Sequence, residues 1–260
     1  MIIEDLSLKK ETAKISIENL EKEDYAALIC YPKPAKIELK KRLKELRKLG
    51  IKALELSGEK EVFGMPVLGK GCVGIVTIAR INHERAALKI RRVDADRIGM
   101  VREAEMLKKA NSIDVGPKLL AVSKNFLLMQ FIDGKLFPEW LNTSKDKVLI
   151  KRVLRNILEQ CWLLDGAGLD HGELSHAPKH IIIDGKNRPF IVDFETASLN
   201  RKPSNVTSIC QFLFISGLIA KKVSGKIGER NRAAIIEALR RYKLDATREN
   251  FEKVLEACGL

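Results

Sequence analysis

The sequence predicts an α+β protein in which a β-rich half precedes a helical half. Between residues 61 and 131, short runs rich in Val, Ile and Leu alternate with glycines and turn residues, as expected of antiparallel strands. After residue 133, apolar residues recur mostly at helical spacing and are interrupted by two short apolar runs, HIIID and PFIVDF. Strands followed by helices indicate two layers, and we expect a cleft between them.

Composition restricts the class of protein. The 260 residues are 45% hydrophobic, which is enough for a buried core. No apolar run reaches the ~20 residues of a membrane span, and Glu4 and Asp5 stand where a signal peptide is basic. Five scattered cysteines without a CxxC pair favour reduced thiols. These features predict a soluble, cytoplasmic protein without a membrane partner.

The net charge of +13 suits an anionic partner such as a nucleotide, an acidic protein or RNA. The same composition, with 31% charged and 5% aromatic residues, is also typical of the Lys- and Glu-rich surface of a thermophile protein. Charge alone does not separate these explanations.

Three segments are expected along the chain: an N-terminal extension over residues 1–60, a β-rich lobe over 61–132 and a helical lobe over 133–260. In the extension, the alternation of Leu6 with Leu8 and of Ile15 with Ile17 suggests strands or a hairpin. Further helices are predicted around residues 94–111, 147–164, 205–221, 230–242 and 249–258.

A basic helix is predicted over residues 35–49, with Gly50 as its C-cap. Its apolar positions at near-helical spacing are Ile37, Leu39, Leu43, Leu46 and Leu49. The basic residues assigned to its other face are Lys36, Lys40, Lys41, Arg42, Lys44, Arg47 and Lys48. Such a face either contacts RNA, a ribosome or an acidic protein, or is simply solvated.

A glycine-rich segment has the pattern GxGxxGxV, with Gly69, Gly71 and Gly74 before Val76. A glycine trio is weak evidence alone, because hairpin turns are also glycine-rich. Here the glycines lie between two predicted strands, which favours a hairpin that covers phosphates over a dinucleotide-binding turn. Backbone N–H groups without side chains can approach a triphosphate closely.

Two charged residues are predicted to lie inside the β-rich lobe. Lys89, in the run ALKI, needs an anionic partner if it is buried, whereas at an edge strand it would extend to solvent. In the helix that follows, Glu103 is the expected partner, and Glu105 lies on a different side of that helix.

The helical lobe has its own set of polar residues. Asp193 directly follows the apolar run FIV, where a carboxylate suits Mg²⁺. A hairpin from HIIID to FIVDF would bring His180 and Asp193 to one end. Glu173 lies in the preceding segment LDHGELSHAPKH.

Taken in order, GxGxxGxV, A-x-K, a helix Glu, HGE, H-III and DF resemble the protein-kinase superfamily over residues 62–225. The chain is similar to the small atypical archaeal Ser/Thr protein kinases of the Bud32 and RIO groups. The resemblance implies a bilobal protein-kinase-like fold that uses ATP with Mg²⁺ or Mn²⁺. It also implies binding of the α/β-phosphates by Lys89 with Glu103 as its partner, and metal binding by Asp193.

For the adenine, the resemblance implies that Met129 is the gatekeeper and that residues 130–132 form the hinge. The residues expected at the base or the hinge are Val76, Ala87, Gln130, Ile132 and Ile182. Plain core packing is the alternative for the apolar ones. No APE-like sequence follows Asp193, which puts regulation by an activation loop in doubt.

The sequence departs from the family pattern at two positions. Glu173 stands in place of the catalytic Asp, and its longer side chain raises a question of reach, since misplacement by ~1 Å can cost ~10²-fold in rate. His180 stands in place of a metal-binding Asn, seven positions after Glu173 instead of five, and imidazole favours Mn²⁺ or Zn²⁺ over Mg²⁺. A zinc pair of His176 and His180 is disfavoured by Pro178. Glu195, where the family has Gly, either adds a carboxylate to the metal cluster or is a surface residue.

Three functions follow from this resemblance. The first is an atypical Ser/Thr protein kinase that phosphorylates itself or a protein partner through Lys89, Glu173 and Asp193. The second is a pseudokinase that binds ATP as a switch or scaffold. The third is a kinase for a small molecule.

Overall fold

The structure, a computed structural model, describes residues 13–96 and 99–260. These residues belong to two compact units. The first unit runs to Val101 and includes Leu120–Phe131, and the second contains Arg102–Leu119 and Ile132–Leu260. Strands dominate the first unit and helices the second, which confirms the predicted α+β class.

The first unit is built on an antiparallel sheet. Its strands in chain order are β1 (Ala13–Ser16), β2 (Ala53–Leu56), β3 (Lys60–Val62), β4 (Met65–Val67), β5 (Gly69–Lys70), β6 (Gly74–Ile81), β7 (Glu84–Arg91), β8 (Leu119–Val122) and β9 (Phe126–Gln130). The sheet has the order β1-β2-β6-β7-β9-β8, with β5 paired to β6, whereas β3 and β4 form a separate hairpin. The described part of residues 1–60 therefore contributes two strands, β1 and β2, to this sheet. The segment boundaries 1–60, 61–132 and 133–260 stay a prediction.

The N-terminal extension differs from its prediction. Ile15 lies in β1, but Ile17 begins a 3₁₀ helix, Ile17–Glu21, and helix α1 follows at Glu23–Ile29. The predicted strand or hairpin is therefore wrong over residues 17–29, because the short alternation did not continue beyond Ile17. Leu6 and Leu8 lie outside the described residues.

Helix α2, Lys36–Lys48, confirms the predicted basic helix. Gly50 has φ +73°, as expected for a glycine just beyond a helix C-terminus. Leu43 and Leu46 are buried in the core of this unit, whereas Ile37 is 72% exposed, so its assignment to the apolar face is wrong. The exposed basic residues of α2 are Lys36, Lys40, Lys41, Lys44, Arg47 and Lys48. Contact between this face and RNA or a ribosome stays a prediction.

Arg42 is the exception on α2, because it is fully buried and does not belong to the solvated face. Its guanidinium donates to the Ile29 carbonyl at 2.8 Å and to the Arg91 carbonyl of β7. It also donates to Asn125 Oδ1 at 3.2 Å and to Glu38 Oε1 at 2.7 Å. A buried guanidinium is tolerated only when its donors are satisfied, so these bonds explain why Arg42 lies inside.

The second unit is mostly helical. Its helices are α3 (Val101–Asn111), α4 (Phe137–Thr143), α5 (Lys147–Gly166), α6 (Asn205–Cys210), α7 (Gly217–Ile227), α8 (Arg232–Leu244) and α9 (Arg248–Ala257). Three short strands form a second sheet in the order β10 (Gly134–Leu136), β11 (Ile181–Asp184) and β12 (Pro189–Ile191). Neither α4 nor β10 was predicted, because both are short and carry no clear periodicity.

Two predicted helices differ from the structure by more than two residues. Helix α3 begins seven residues later than expected, and the Met100 N–H donates instead to the Lys124 carbonyl at 3.1 Å. The predicted helix over 205–221 is broken: a π-helical turn, Gln211–Ile215, follows α6, and the chain is extended at Ser216. Among the described residues no single helix is long and apolar enough to cross a membrane. The bent pair Asn205–Ile215 and Gly217–Ile227, at 69°, meets those criteria together.

Replacement of Arg42 by Ala should lower the free energy of unfolding by about 3 kcal/mol, because it leaves buried carbonyls and the Glu38 carboxylate without their donor. Removal of one of the exposed cations of the same helix, in Lys44→Ala, should change the free energy of unfolding by less than ~0.5 kcal/mol. Urea unfolding of the two variants measures the difference. Equal losses of unfolding free energy in Arg42→Ala and Lys44→Ala would contradict a structural role for Arg42.

Candidate active site

One face of the first sheet carries the residues predicted to bind a nucleotide. Val76 in β6 is the register partner of Lys89 in β7. Ala87, two residues before Lys89, is the partner of Met129 in β9. Because paired residues, and residues two apart, point to the same side of a sheet, all four share a face.

The opposite face of these strands points into the core. Residues that alternate with the first set are buried in that core: Ile75, Ala79, Ala86, Leu88, Ile90 and Leu128. The core of this unit therefore packs against the opposite side of the sheet, and Val76 and Lys89 lie on the side that does not face this core. Val76 and Met129 are half-buried there.

The glycines lie in the predicted hairpin between β5 and β6, where Gly69 pairs with Val76. A Cβ added at Gly74 would lie 2.9 Å from the Ile90 carbonyl oxygen and 3.2 Å from Cγ of Lys89. A Cβ so close to a backbone oxygen requires a shift of the backbone, and the contact with Lys89 is tight as well, so glycine at this position leaves room for the Lys89 side chain along β6. Gly71 is exposed, and its N–H donates to the Gly74 carbonyl at 2.8 Å.

Lys89 and Glu103 are each only 5% exposed. Buried charges need partners, so both positions fit the expected ion pair in burial. Glu105 is exposed, which agrees with the choice of Glu103. The two residues belong to different compact units, and their pairing stays a prediction.

The predicted hinge residues Gln130 and Ile132 are half-buried, as is Ile182 in β11. Ile182 pairs with Leu136 on one side and with Phe190 on the other. Gln130 ends β9 in the first unit, whereas Ile132 and Ile182 belong to the second. Contact of these residues with a purine stays a prediction.

In the second unit, Glu173, His180 and Asp193 converge. One potential ligand atom from each lies within 4.8 Å of the other two. Nε2 of His180 is 3.1 Å from Oε2 of Glu173 and 3.9 Å from Oδ2 of Asp193. Ligands of a small divalent ion lie about 2.1 Å from it, hence about 3 Å apart at right angles and about 4.2 Å apart when opposite. Both separations from Nε2 of His180 fit one such ion.

The hairpin of β11 and β12 positions two members of this cluster, as predicted. His180 directly precedes β11, and its carbonyl accepts from the Val192 N–H at 3.0 Å. Asp193 then has φ +70°, a left-handed conformation that is uncommon for a residue with a side chain. Strained backbone of this kind is found at functional sites, where the surrounding structure maintains it.

His180 is only 1% exposed, and neither of its ring nitrogens has a hydrogen bond among the described residues. The contact with Glu173 has the distance of an ion pair but not the direction of a hydrogen bond. Burial lowers the pKa of His180, against the opposite effect of the Asp193 and Glu173 carboxylates, so the neutral imidazole is favoured. An unsatisfied buried nitrogen costs about 1–3 kcal/mol, which a metal ion would offset.

Asn205, at the start of α6, holds the segment before Glu173. Its Oδ1 accepts from the His171 N–H at 2.9 Å, and its Nδ2 donates to the Leu169 carbonyl at 2.7 Å. Asp165 in α5 accepts from the N–H and Nδ2 of Asn205, each at 2.8 Å. Sequence reasoning missed this support, since a lone Asn at a helix start indicates only a cap.

His171 completes the packing behind the cluster. Its Nε2 donates to the Val192 carbonyl at 3.1 Å, and its ring lies 5.5 Å from that of His180 and 5.1 Å from that of Phe194. Burial lowers the pKa of His171 from 6.5 to about 4. The imidazole therefore stays neutral, and its hydrogen bond to the Val192 carbonyl stabilises the end of the hairpin next to Asp193.

Two further predicted candidates lie outside the cluster. His176 is exposed, and its Nδ1 lies 3.4 Å from the Ser175 hydroxyl. Within the part of the chain that the structure describes, the group of possible metal ligands contains neither His176 nor Glu195. The zinc pair of His176 and His180, disfavoured in the sequence by Pro178, gains no support from this group, because only His180 belongs to it.

Two comparisons bear on this arrangement. The sequence model of the RIO domain matches residues 78–207, half of the 260 residues. That range contains Lys89, Glu103 and the whole cluster, whereas the glycine-rich hairpin precedes it. An uncharacterized protein of Methanocaldococcus jannaschii, MJ1211, is 31% identical over 118 residues, which are 44% of this chain and 98% of that protein.

Gly74→Ala should lower the free energy of unfolding by about 1–3 kcal/mol, because the new Cβ would collide with the Ile90 carbonyl and with Lys89. Gly69→Ala is the matched control, since a Cβ there meets only Val76, at 3.6 Å or more. Thermal or urea unfolding of both variants distinguishes them. If the two glycines tolerate Ala equally, the close approach of Lys89 to Gly74 is wrong.

Stability should fall in mild acid because of His171. The unfolded chain binds a proton at this residue below pH 6.5, but the folded chain does so only near pH 4, so about 3 kcal/mol is lost as pH falls between those values. His180 contributes in the same direction. Urea unfolding at several pH values, with chelator present, measures this loss.

The control is His171→Gln, which keeps a donor toward the Val192 carbonyl but has no titrating group. Carboxylates titrate alike in both proteins, so the difference between their slopes isolates His171. An identical slope in wild type and variant would contradict the assignment.

Proposed function

The chain belongs to the RIO-domain family, whose members are atypical protein kinases, and we propose that it phosphorylates serine or threonine hydroxyls of a protein partner or of itself. The observation that carries the proposal is the convergence of Glu173, His180 and Asp193 within 4.8 Å. Phosphoryl transfer needs positioned charge more than covalent chemistry, and a carboxylate and imidazole cluster that fits a divalent ion meets that need.

The first unit supports the nucleotide part of the proposal. Lys89 lies on a sheet face beside Val76 and Ala87 and passes along Gly74. We propose that this ammonium binds the α- and β-phosphates, that backbone N–H groups of the glycine hairpin contact the phosphates, and that the half-buried apolar residues pack on adenine.

In the second unit, Asp193 and His180 would hold Mg²⁺ or Mn²⁺. A bound divalent ion neutralises phosphate charge during transfer. Oδ2 of Asp193 already lies 3.9 Å from Nε2 of His180, so we expect little reorganisation of these two ligands on metal binding.

Glu173 would orient the acceptor hydroxyl. The hydroxyl oxygen forms a bond to the γ-phosphorus while the bond from that phosphorus to the β,γ-bridging oxygen breaks, and ADP leaves with that electron pair. The acceptor proton passes to a carboxylate oxygen of Glu173. In support of this role, Oε2 of Glu173 and Oδ2 of Asp193 lie 3.1 Å and 3.9 Å from the same imidazole nitrogen, Nε2 of His180.

The test is transfer of radiolabelled γ-phosphate from ATP to the chain itself or to a generic protein acceptor, with Mg²⁺ or Mn²⁺. Asp193→Ala and Glu173→Gln should each lower the rate at least ~10²-fold, since each removes a charge from the reacting centre. Glu105→Gln, which changes an exposed carboxylate of α3, should leave the rate unchanged. Circular dichroism checks that all variants fold.

The alternatives predict different results. An ATP-binding switch would show an ATP-dependent rise in melting temperature without transfer or hydrolysis under either metal. A small-molecule kinase would consume ATP only when a small hydroxylated acceptor is added, and would leave proteins unlabelled.

A further inference from the structure

We propose that Glu173, His180 and Asp193 form a three-ligand transition-metal site that is filled before ATP binds and that selects Mn²⁺ or a similar ion over Mg²⁺. The inference deepens the proposed function and rests on it for the use of the metal. It assigns Glu173 a second task, that of a metal ligand through one carboxylate oxygen, which leaves the other oxygen for the acceptor.

The number of protein ligands is the first argument. Mg²⁺ sites in phosphoryl-transfer proteins usually rely on one or two carboxylates together with the phosphates of the substrate. Here the chain itself supplies two carboxylates and an imidazole, with one potential ligand atom of each within 4.8 Å of the other two. Two negative charges balance a divalent ion completely, so its binding does not require the phosphates.

The state of His180 is the second and independent argument. Its imidazole is almost completely buried, and neither nitrogen has a hydrogen bond among the described residues, yet Nε2 lies 3.1 Å from one carboxylate and 3.9 Å from the other. A hydrogen bond to Glu173 would satisfy this nitrogen, but the direction of the contact is wrong for one. A cation bound by Nε2 and by both carboxylates would give this nitrogen the partner that it lacks.

The ligand set also selects the ion. Mg²⁺ prefers oxygen ligands and an octahedron with several waters, whereas imidazole nitrogen suits Mn²⁺, Fe²⁺ and Zn²⁺ better. His180 is therefore the specificity-determining residue. Asn at that position would offer an amide oxygen and would favour Mg²⁺ instead.

The experiment uses the full chain, stripped with chelator and titrated with Mn²⁺ without nucleotide. Free Mn²⁺ is followed by its electron paramagnetic resonance signal. We expect one bound Mn²⁺ per chain that excess Mg²⁺ does not displace. Pulsed resonance of the bound ion should show coupling to ¹⁴N in the wild type but not in His180→Asn, because that variant lacks the imidazole.

Variants separate the ligands from nearby carboxylates. Glu173→Gln and His180→Asn should each weaken Mn²⁺ binding at least ~10-fold, and His180→Asn should also reduce the preference for Mn²⁺ over Mg²⁺. The matched control is Glu195→Gln, a carboxylate two residues from Asp193 that lies outside the cluster, and its affinity should equal that of the wild type. Melting temperatures with and without Mn²⁺ check that each variant is folded.

Three results would overturn the inference: Mn²⁺ binding only when ATP is present, displacement of Mn²⁺ by excess Mg²⁺, or full affinity in Glu173→Gln. These results are distinct from failure of the proposed function. Tight Mn²⁺ binding without phosphate transfer would contradict the kinase and leave the metal site. Transfer with nucleotide-dependent Mg²⁺ alone would contradict the metal site and leave the kinase.

Discussion

The hydrogen bonds of Asn205 are the constraint on which the arrangement of the second unit depends. This one side chain bonds the Leu169 carbonyl, the His171 N–H and Asp165, and so holds the segment from Leu169 to Glu173 against the start of α6. Burial raises the pKa of Asp165, but the donors around it, including the Tyr242 hydroxyl at 3.0 Å, favour its charged form. With the backbone before Glu173 held in this position, the longer Glu173 side chain brings a carboxylate oxygen within 4.8 Å of ligand atoms of His180 and Asp193.

The parts of the fold that sequence patterns predicted are those with long, regular periodicity. Helices α2, α5, α8 and α9 have apolar residues at helical spacing over ten or more residues, and the glycine hairpin follows from alternation on both sides. The late start of α3 and the break at Ser216 could not be predicted, because bonds to distant backbone and a local π-helical turn decide them. Burial of Arg42 likewise depends on carbonyls 13 and 49 positions away.

The order of the motifs along the sequence identified the candidate residues of the site one by one. The structure adds the distances between their side chains. Glu173 and His180 were predicted as separate substitutions, one for a base and one for a metal ligand. Their side chains are 3.1 Å apart, and together with Asp193 they form one cluster of possible metal ligands. Spacing along the chain could not reveal this, because the distance depends on side-chain conformations and on the support from Asn205. Spacing along the chain likewise could not reveal that the Lys89 side chain lies against Gly74 on the neighbouring strand, where a Cβ would crowd it.

The pairing of Val76 with Lys89 has a consequence for how the length of this chain can vary in evolution. Strands β6 and β7 are joined by only Asn82 and His83, and Asn82 has φ +55°, so the turn maintains their register. Insertion or deletion of one residue between the turn and Lys89 in β7 would turn the lysine to the core side, and the same change between Val76 and the turn in β6 would turn Val76 to the core side. Homologous chains that keep the function should therefore differ along this hairpin by pairs of residues, or carry a bulge that restores the alternation.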